Sequence, residues 1–216
     1  MDLNINDNQL MLLTIVTAGI IIGFLILTIH LLNKKLVNKQ NEVHDNTELM
    51  VITDELTQLY NREQFDSLFE SELARAMRNE SSFSCALIEI DNYKELKDKY
   101  GHQLSDVILQ DTAEVLKDDL RIYDVIARDG DIFICLFPEM YIEPALIATK
   151  RLRSLVEDEK FEFGENNEII RISVSIGLTS CKPSLDKEID IYKIIKKADK
   201  VLDIAKEKGG NRVEYI

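Results

Sequence analysis

The chain has 216 residues, 30% charged and 45% hydrophobic, which is the scale of one ordinary soluble domain with an appendage. A formal net charge of −13 excludes a broad nucleic-acid surface, which needs clustered lysine and arginine, but it leaves room for a local anion site built from a few placed groups. Cys85, Cys135 and Cys181 have no metal-like spacing and read as buried free thiols, and His30, His44 and His102 form no cluster for zinc.

Residues 1–9 read as a short extracytoplasmic tail. Leu10 to Leu32 is almost wholly apolar, and about 20 such residues cross a bilayer core. No base precedes this run and Asn33-Lys34-Lys35 follows it, so the reading is a retained transmembrane helix with the C-terminal domain in the cytoplasm. Residues 33–53 read as a helical stalk, with Ile29, Leu36, Val43 and Met50 seven apart and Lys39, Asn46 and Thr53 weakening the second seam.

From Asn61 to Asn79 apolar residues recur at helical spacing. Phe83–Ile90 is a near-continuous apolar run that reads as a buried strand delivering Glu89 and Asp91 at its end. Tyr93–Tyr100 and Leu104–Leu120 read as helices broken at Gly101. Val125–Ala127 and Ile132–Phe137 read as strands joined around Asp129-Gly130-Asp131, because Asp-Gly between apolar runs marks a hairpin. Pro144–Glu159 reads as a helix. Phe161–Phe163 and Ile169–Thr179 read as a strand pair, with Ile170, Ile172, Val174 and Ile176 on one face. Ile189–Lys208 closes as a helix and Arg212–Ile216 as a strand. The expectation is an α/β fold: a mixed sheet flanked by helices.

If the strand ending in Glu89-Ile90-Asp91 neighbours the hairpin carrying Asp131, carboxylates converge near Lys94. Acids hold a hard cation and an ammonium meets phosphate, as a magnesium-nucleotide site requires. On the residues alone, solvated strand-end charges are the competing reading.

Four segments carry a family resemblance. They are Asp54-Glu55-Leu56-Thr57-Gln58-Leu59-Tyr60-Asn61-Arg62, Ile88-Glu89-Ile90-Asp91-Asn92-Tyr93-Lys94 followed by Asp98-Lys99-Tyr100-Gly101-His102 and Asp106, Ser173-Val174-Ser175-Ile176-Gly177, and Ala198-Asp199 through Asn211-Arg212-Val213. Taken in order and at this spacing, residues 54–216 resemble the GGDEF (diguanylate cyclase) family. The resemblance implies the palm-like α/β domain of nucleotide cyclases, in a bacterium. In that family two domains meet face to face, each holding one GTP on divalent ions, and the product is cyclic di-GMP.

Carried onto this chain, the resemblance implies magnesium held by Glu89, the Ile90 main chain and the catalytic Asp131. It implies nucleotide contacts at Lys94, Lys97, Asp106 and Lys206. Several positions depart from the family pattern. Glu89 replaces the first metal aspartate, Lys97 replaces an asparagine and loses its acceptor, and Ser105 replaces a glycine. The signature reads Asp129-Gly130-Asp131-Ile132-Phe133, so Ile132 replaces the second acid and Asp129 falls where the family brings its backbone close to the nucleotide. Gly210 replaces an arginine partner of Lys206. These departures predict a weak or inactive member acting as a regulator, bound to GTP or cyclic di-GMP and to a second copy or another signalling protein. An active diguanylate cyclase is the alternative, and a purely structural interaction module is a third reading. Arg121-Ile122-Tyr123-Asp124 stands where the family carries an inhibitory product site. A surface ion pair is the equal alternative there.

Overall fold

The computed structural model describes residues 34–35, 52–163, 168–183 and 189–216. The chain divides into two units, Met1–Val51 and Ile52–Ile216. Of the first, Lys34 and Lys35 are described, both helical. Among the described residues no helix is long and apolar enough to cross a membrane. This corrects the expected single-pass location at a cell membrane. The described helices each set one buried apolar face against a charged one, and the run 10–32, with most of the stalk 33–53, lies outside the described residues.

In the second unit the elements are α1 (Arg62–Asn79), β1 (Phe83–Ile90), α2 (Tyr93–Tyr100), α3 (His102–Asp119), β2 (Val125–Asp129), β3 (Ile132–Phe137), α4 (Ile142–Asp158), β4 (Phe161–Phe163), β5 (Glu168–Ile170), β6 (Val174–Cys181), α5 (Ile191–Glu207) and β7 (Val213–Tyr215). Side chains fix several starts. Asn61 caps α1 by accepting from the Gln64 N–H at 2.9 Å, and Asp190 caps α5 by accepting from Lys193 at 2.7 Å. Helix α4 opens two residues before Pro144, which sits in the first turn where its missing N–H costs nothing.

The main sheet runs β2-β3-β1-β6-β7, antiparallel except for β6 with β7. Strand β1 lies at its centre and is covered on both faces, which is why it reads as an unbroken apolar run. Ala86, Ile88 and Ile90 pack with Leu104, Ile108 and Leu116 of α3 and Leu152 and Val156 of α4. Cys85 and Leu87 pack on the other face with Phe65 and Phe69 of α1 and Ala198 and Leu202 of α5. Three layers result: α3/α4, the sheet, and α1/α5. Helix α5 presses hard on β6, since a Cβ on Gly177 would fall 2.2 Å from the Ala198 carbonyl oxygen. The edge strand β2 is covered by the turn that leads into α1: the Arg128 N–H donates to the Tyr60 carbonyl at 2.9 Å.

The single strand expected over Ile169–Thr179 is two strands in two sheets. β5 pairs with β4, while β6 starts at Val174 and joins β1. Asp91 makes the division. Its N–H donates to the Ser173 carbonyl at 2.9 Å and its carboxylate accepts from the Ser173 hydroxyl at 2.5 Å, fixing the chain where it changes partner. Ile170, Ile172, Val174 and Ile176 nevertheless share the α3/α4 core, as their alternation predicts.

Candidate functional site

Strand alternation sends Glu89 to the α5 side of the sheet, where Lys206 from the last turn of α5 forms an ion pair with it. The two residues border a cavity of about 270 Å³ that Ile90, Asp91, Asn92, Gly209 and Gly210 also line. Asp91 is no free acid. It accepts from the hydroxyls of Ser173 and Ser175 at 2.5 Å each and from the Asn211 N–H at 2.8 Å. Asn211 in turn bonds Glu157 and Arg153 of α4. Gly210, at φ +72°, lies against Asp91, so that a Cβ there would meet its carboxylate at 2.9–3.1 Å.

The β1/β3 register pairs Glu89 with Ile132, so Asp131 lies one residue beyond, at the same end of the sheet. Gly130, at φ 67°, takes the first central position of the two-residue turn, a left-handed conformation that glycine adopts freely. Asp131 is exposed, and Ile132 is half-buried against the α1/α5 core. Asp131 and Asp106 both act on Tyr93. Burial first, then these two negative charges, hold the Tyr93 hydroxyl above its usual range, and that hydroxyl donates to the Ser105 carbonyl at 3.5 Å. Lys94 is exposed beside Tyr93, and Lys97, half-buried, follows one turn along the same face of α2. Ser105 is buried, and its hydroxyl donates back to the His102 carbonyl at 2.8 Å.

Glu89, the Ile90 main-chain oxygen and Asp131 are hard oxygen donors, the chemistry magnesium takes. Among the described residues no group of three or more acid, histidine or cysteine side chains is gathered as a metal cluster.

Two arginines, Arg62 at the end of the first family segment and Arg128 just before the signature, brace the signature turn, a role that no motif assigns them. Arg128 Nη1 donates to both Asp54 carboxylate oxygens at 2.9 and 3.1 Å, and its Nε donates to the Gly130 carbonyl at 2.7 Å. Asp54 also accepts from the N–H and hydroxyl of Thr57. Burial pushes the Asp54 carboxyl up, but the bonds from Arg128 and Thr57 outweigh it and leave it below its usual range. The Asp-x-x-Thr spacing was the available signal for this turn. Arg62 of α1 holds the Asp129 carboxylate at 3.1 Å and Asp66 at 2.8 Å.

Arg121 and Asp124 form a tight turn away from this end of β1. The Asp124 N–H donates to the Arg121 carbonyl and the Arg121 N–H donates to the Asp124 carboxylate, both at 2.9 Å. Asp124 thus accepts from the Arg121 main chain, not its guanidinium, and burial pushes its carboxyl up. Both residues border cavities of about 560 and 370 Å³. The larger also takes in Arg75 of α1, a residue no motif marks, which bonds Glu72 at 2.7 Å and Glu139 at 2.5 Å. Between them Ile122 and Tyr123 stand 90% and 78% exposed.

The family profile described as "Diguanylate cyclase, GGDEF domain" matches residues 51–212. The chain is 36% identical over 162 residues to diguanylate cyclase DosC of Escherichia coli (strain K12), covering 74% of this chain and 34% of that protein. It is 29% identical over 170 residues to response regulator PleD of Caulobacter vibrioides, covering 78% and 37%. The chain therefore spans about a third of the length of these curated relatives. Among solved structures, the coiled coil and GGDEF domain of DgcB from Caulobacter crescentus, in complex with c-di-GMP, superposes with a TM-score of 0.77 at 26% identity, over 85% of this chain and 95% of that one. The active GGEEF domain of a diguanylate cyclase from Vibrio cholerae gives 0.64 at 28% identity, over 72% and 96%. With three-quarters of its length matched by the family profile, the chain belongs to the diguanylate cyclase GGDEF domain family.

Proposed function

We propose that this chain works in cyclic di-GMP signalling as a nucleotide-binding regulator that turns over GTP weakly or not at all. The carrying observation is at the second position of the signature's acid pair. Ile132 stands there, packed against the α1/α5 core and paired with Glu89 in the ladder, so Asp131 is the one acid left of the signature pair, at the same end of the sheet as Glu89. Glu89, one of the two acids that line the cavity, is engaged by Lys206.

In this reading Glu89, the Ile90 carbonyl and Asp131 would hold magnesium, which supplies positive charge against a triphosphate. Lys94 and Lys206 would meet phosphate, and Asp106 with Lys97 the base. A second ligand, cyclic di-GMP, is supported at Arg121 and Asp124 by the cavity that both residues line together with Arg75, whose guanidinium is shared with Glu72 and Glu139. A second copy or another signalling protein receives the signal.

The test is a titration of the full chain with Mg-GTP and, separately, with cyclic di-GMP, with product assayed throughout. Binding without product, with cyclic di-GMP binding lost in Arg121→Ala, is expected. Steady conversion of GTP to cyclic di-GMP, abolished in Asp131→Ala, would restore the active-cyclase reading. Silence with both ligands would leave an interaction module.

A further inference from the structure

The position of Asp129 on its strand decides where its charge goes. In β2, Ile126 faces the α3/α4 core and Ala127 the α1/α5 core. Two residues beyond Ala127, Asp129 points to the α1 side, where Arg62 Nη1 meets it at 3.1 Å. Asp131 lies two residues before Phe133, which faces the α3/α4 core on the opposite side of the sheet. The Asp129 carboxylate, at a position where the family resemblance brings the backbone close to the nucleotide, is therefore turned to the α1 side and paired with Arg62. Arg128, from the intervening position, braces the same turn by donating to the Gly130 carbonyl at 2.7 Å. The hairpin tip is held from both faces, and each hold uses an arginine.

We propose that Asp129 is a positioning residue: through Arg62 it fixes the tip of the hairpin and so the placement of Asp131. The inference rests on the reading of Glu89, the Ile90 main chain and Asp131 as a magnesium-nucleotide site. Arg62 and Asp129 are 36% and 51% exposed, and an ion pair so exposed contributes little to global stability. Its effect is geometric, and geometry at this level matters, since about 1 Å of misplacement costs roughly a hundredfold in a site that needs alignment.

The experiment compares the full chain with Asp129→Asn, Asp129→Glu, Arg62→Gln and the Arg62→Gln/Asp129→Asn pair. Mg-GTP affinity, melting temperature and amide exchange at Gly130 and Asp131 are measured for each. The expected result is that Asp129→Asn and Arg62→Gln each weaken Mg-GTP by about fivefold to tenfold, with the double variant no worse than either, because both remove one contact. Asp129→Glu keeps the pairing and the affinity, and melting temperatures stay together. Tighter binding by Asp129→Asn would overturn the proposal in favour of simple repulsion of phosphate, and multiplying effects in the double variant would overturn it as well. If the parent itself does not bind Mg-GTP, the nucleotide reading fails, and amide exchange then decides the positioning role. Equal acceleration at Gly130 and Asp131 in both single variants sustains it, and exchange unchanged from the parent sinks it.

Discussion

The backbone of Gly210 rests against the carboxylate of Asp91, so that a Cβ on this residue would fall 2.9 Å from Oδ1. An arginine here, which the family resemblance implies, would crowd the Asp91 carboxylate already at its Cβ. Gly210→Arg is expected to destabilise the domain by about 1–3 kcal/mol, through crowding and a left-handed backbone, without tightening Mg-GTP. Chemical denaturation and a nucleotide titration of the same variant check both halves. Unchanged stability with tighter binding would show that the Asp91 network yields to a side chain.

A second expectation concerns pH. The Asp54 carboxyl lies below its ordinary 3.8 in the folded chain because the bonds from Arg128 and Thr57 outweigh burial. The unfolded chain therefore takes up this proton first on acidification. The contribution is full above the ordinary value and is lost as pH falls through the depressed one. Asp54→Asn should cost about 1.5–3 kcal/mol at neutral pH, the range for a hydrogen bond to a charged partner. The stabilities of parent and variant should converge under strong acid. A gap that stays constant down to that range would show that the carboxylate charge is not what matters.

Gly177→Ala should be severe for one methyl group. The added Cβ would lie 2.2 Å from the Ala198 carbonyl and 2.4 Å from the Leu202 nitrogen, both main-chain atoms of α5. The helix must move off β6, at a cost of about 1–3 kcal/mol or more. Thermal unfolding followed by circular dichroism measures it, and a melting temperature within a degree of the parent would contradict the packing described.

At the second cavity, Arg75→Ala is expected to weaken cyclic di-GMP about tenfold, the loss of one charge-assisted contact. The same change also strips the partner from Glu72, which is nearly buried, so a modest fall in stability accompanies it. Calorimetric titration alongside a melting curve separates the two effects. Full affinity retained in Arg75→Ala would confine the ligand to Arg121 and Asp124.

These contacts also mark how far the sequence could be read. The strand β1 and its terminal acids were legible because burial on both faces leaves an unbroken apolar run. The Asp-Gly hairpin and the shared face of Ile170, Ile172, Val174 and Ile176 were legible because turn chemistry and alternation are local. The break between β5 and β6 was not, because it depends on Asp91, which lies 82 positions from Ser173. The arginine braces were hidden for the same reason: Arg62 and Asp129 are 67 positions apart, and no spacing rule joins them. Arg75 carries no motif at all, and only the fold brings α1 beside Asp124. The apolar run at 10–32 shows the opposite case, a strong local signal that falls outside the described residues.

The central place of β1 has a consequence for biosynthesis. Its two partners, β3 and β6, begin 42 and 84 residues after β1 ends at Ile90. At the ordinary pace of about 5–20 residues per second, a nascent chain carries this apolar strand for roughly 4–17 s before β6 has left the ribosome's active centre. Through that interval one edge of the hydrophobic strand lacks its neighbour. Chain order thus sets how long this edge stays open, and an unpaired apolar strand edge is the kind of surface that aggregates.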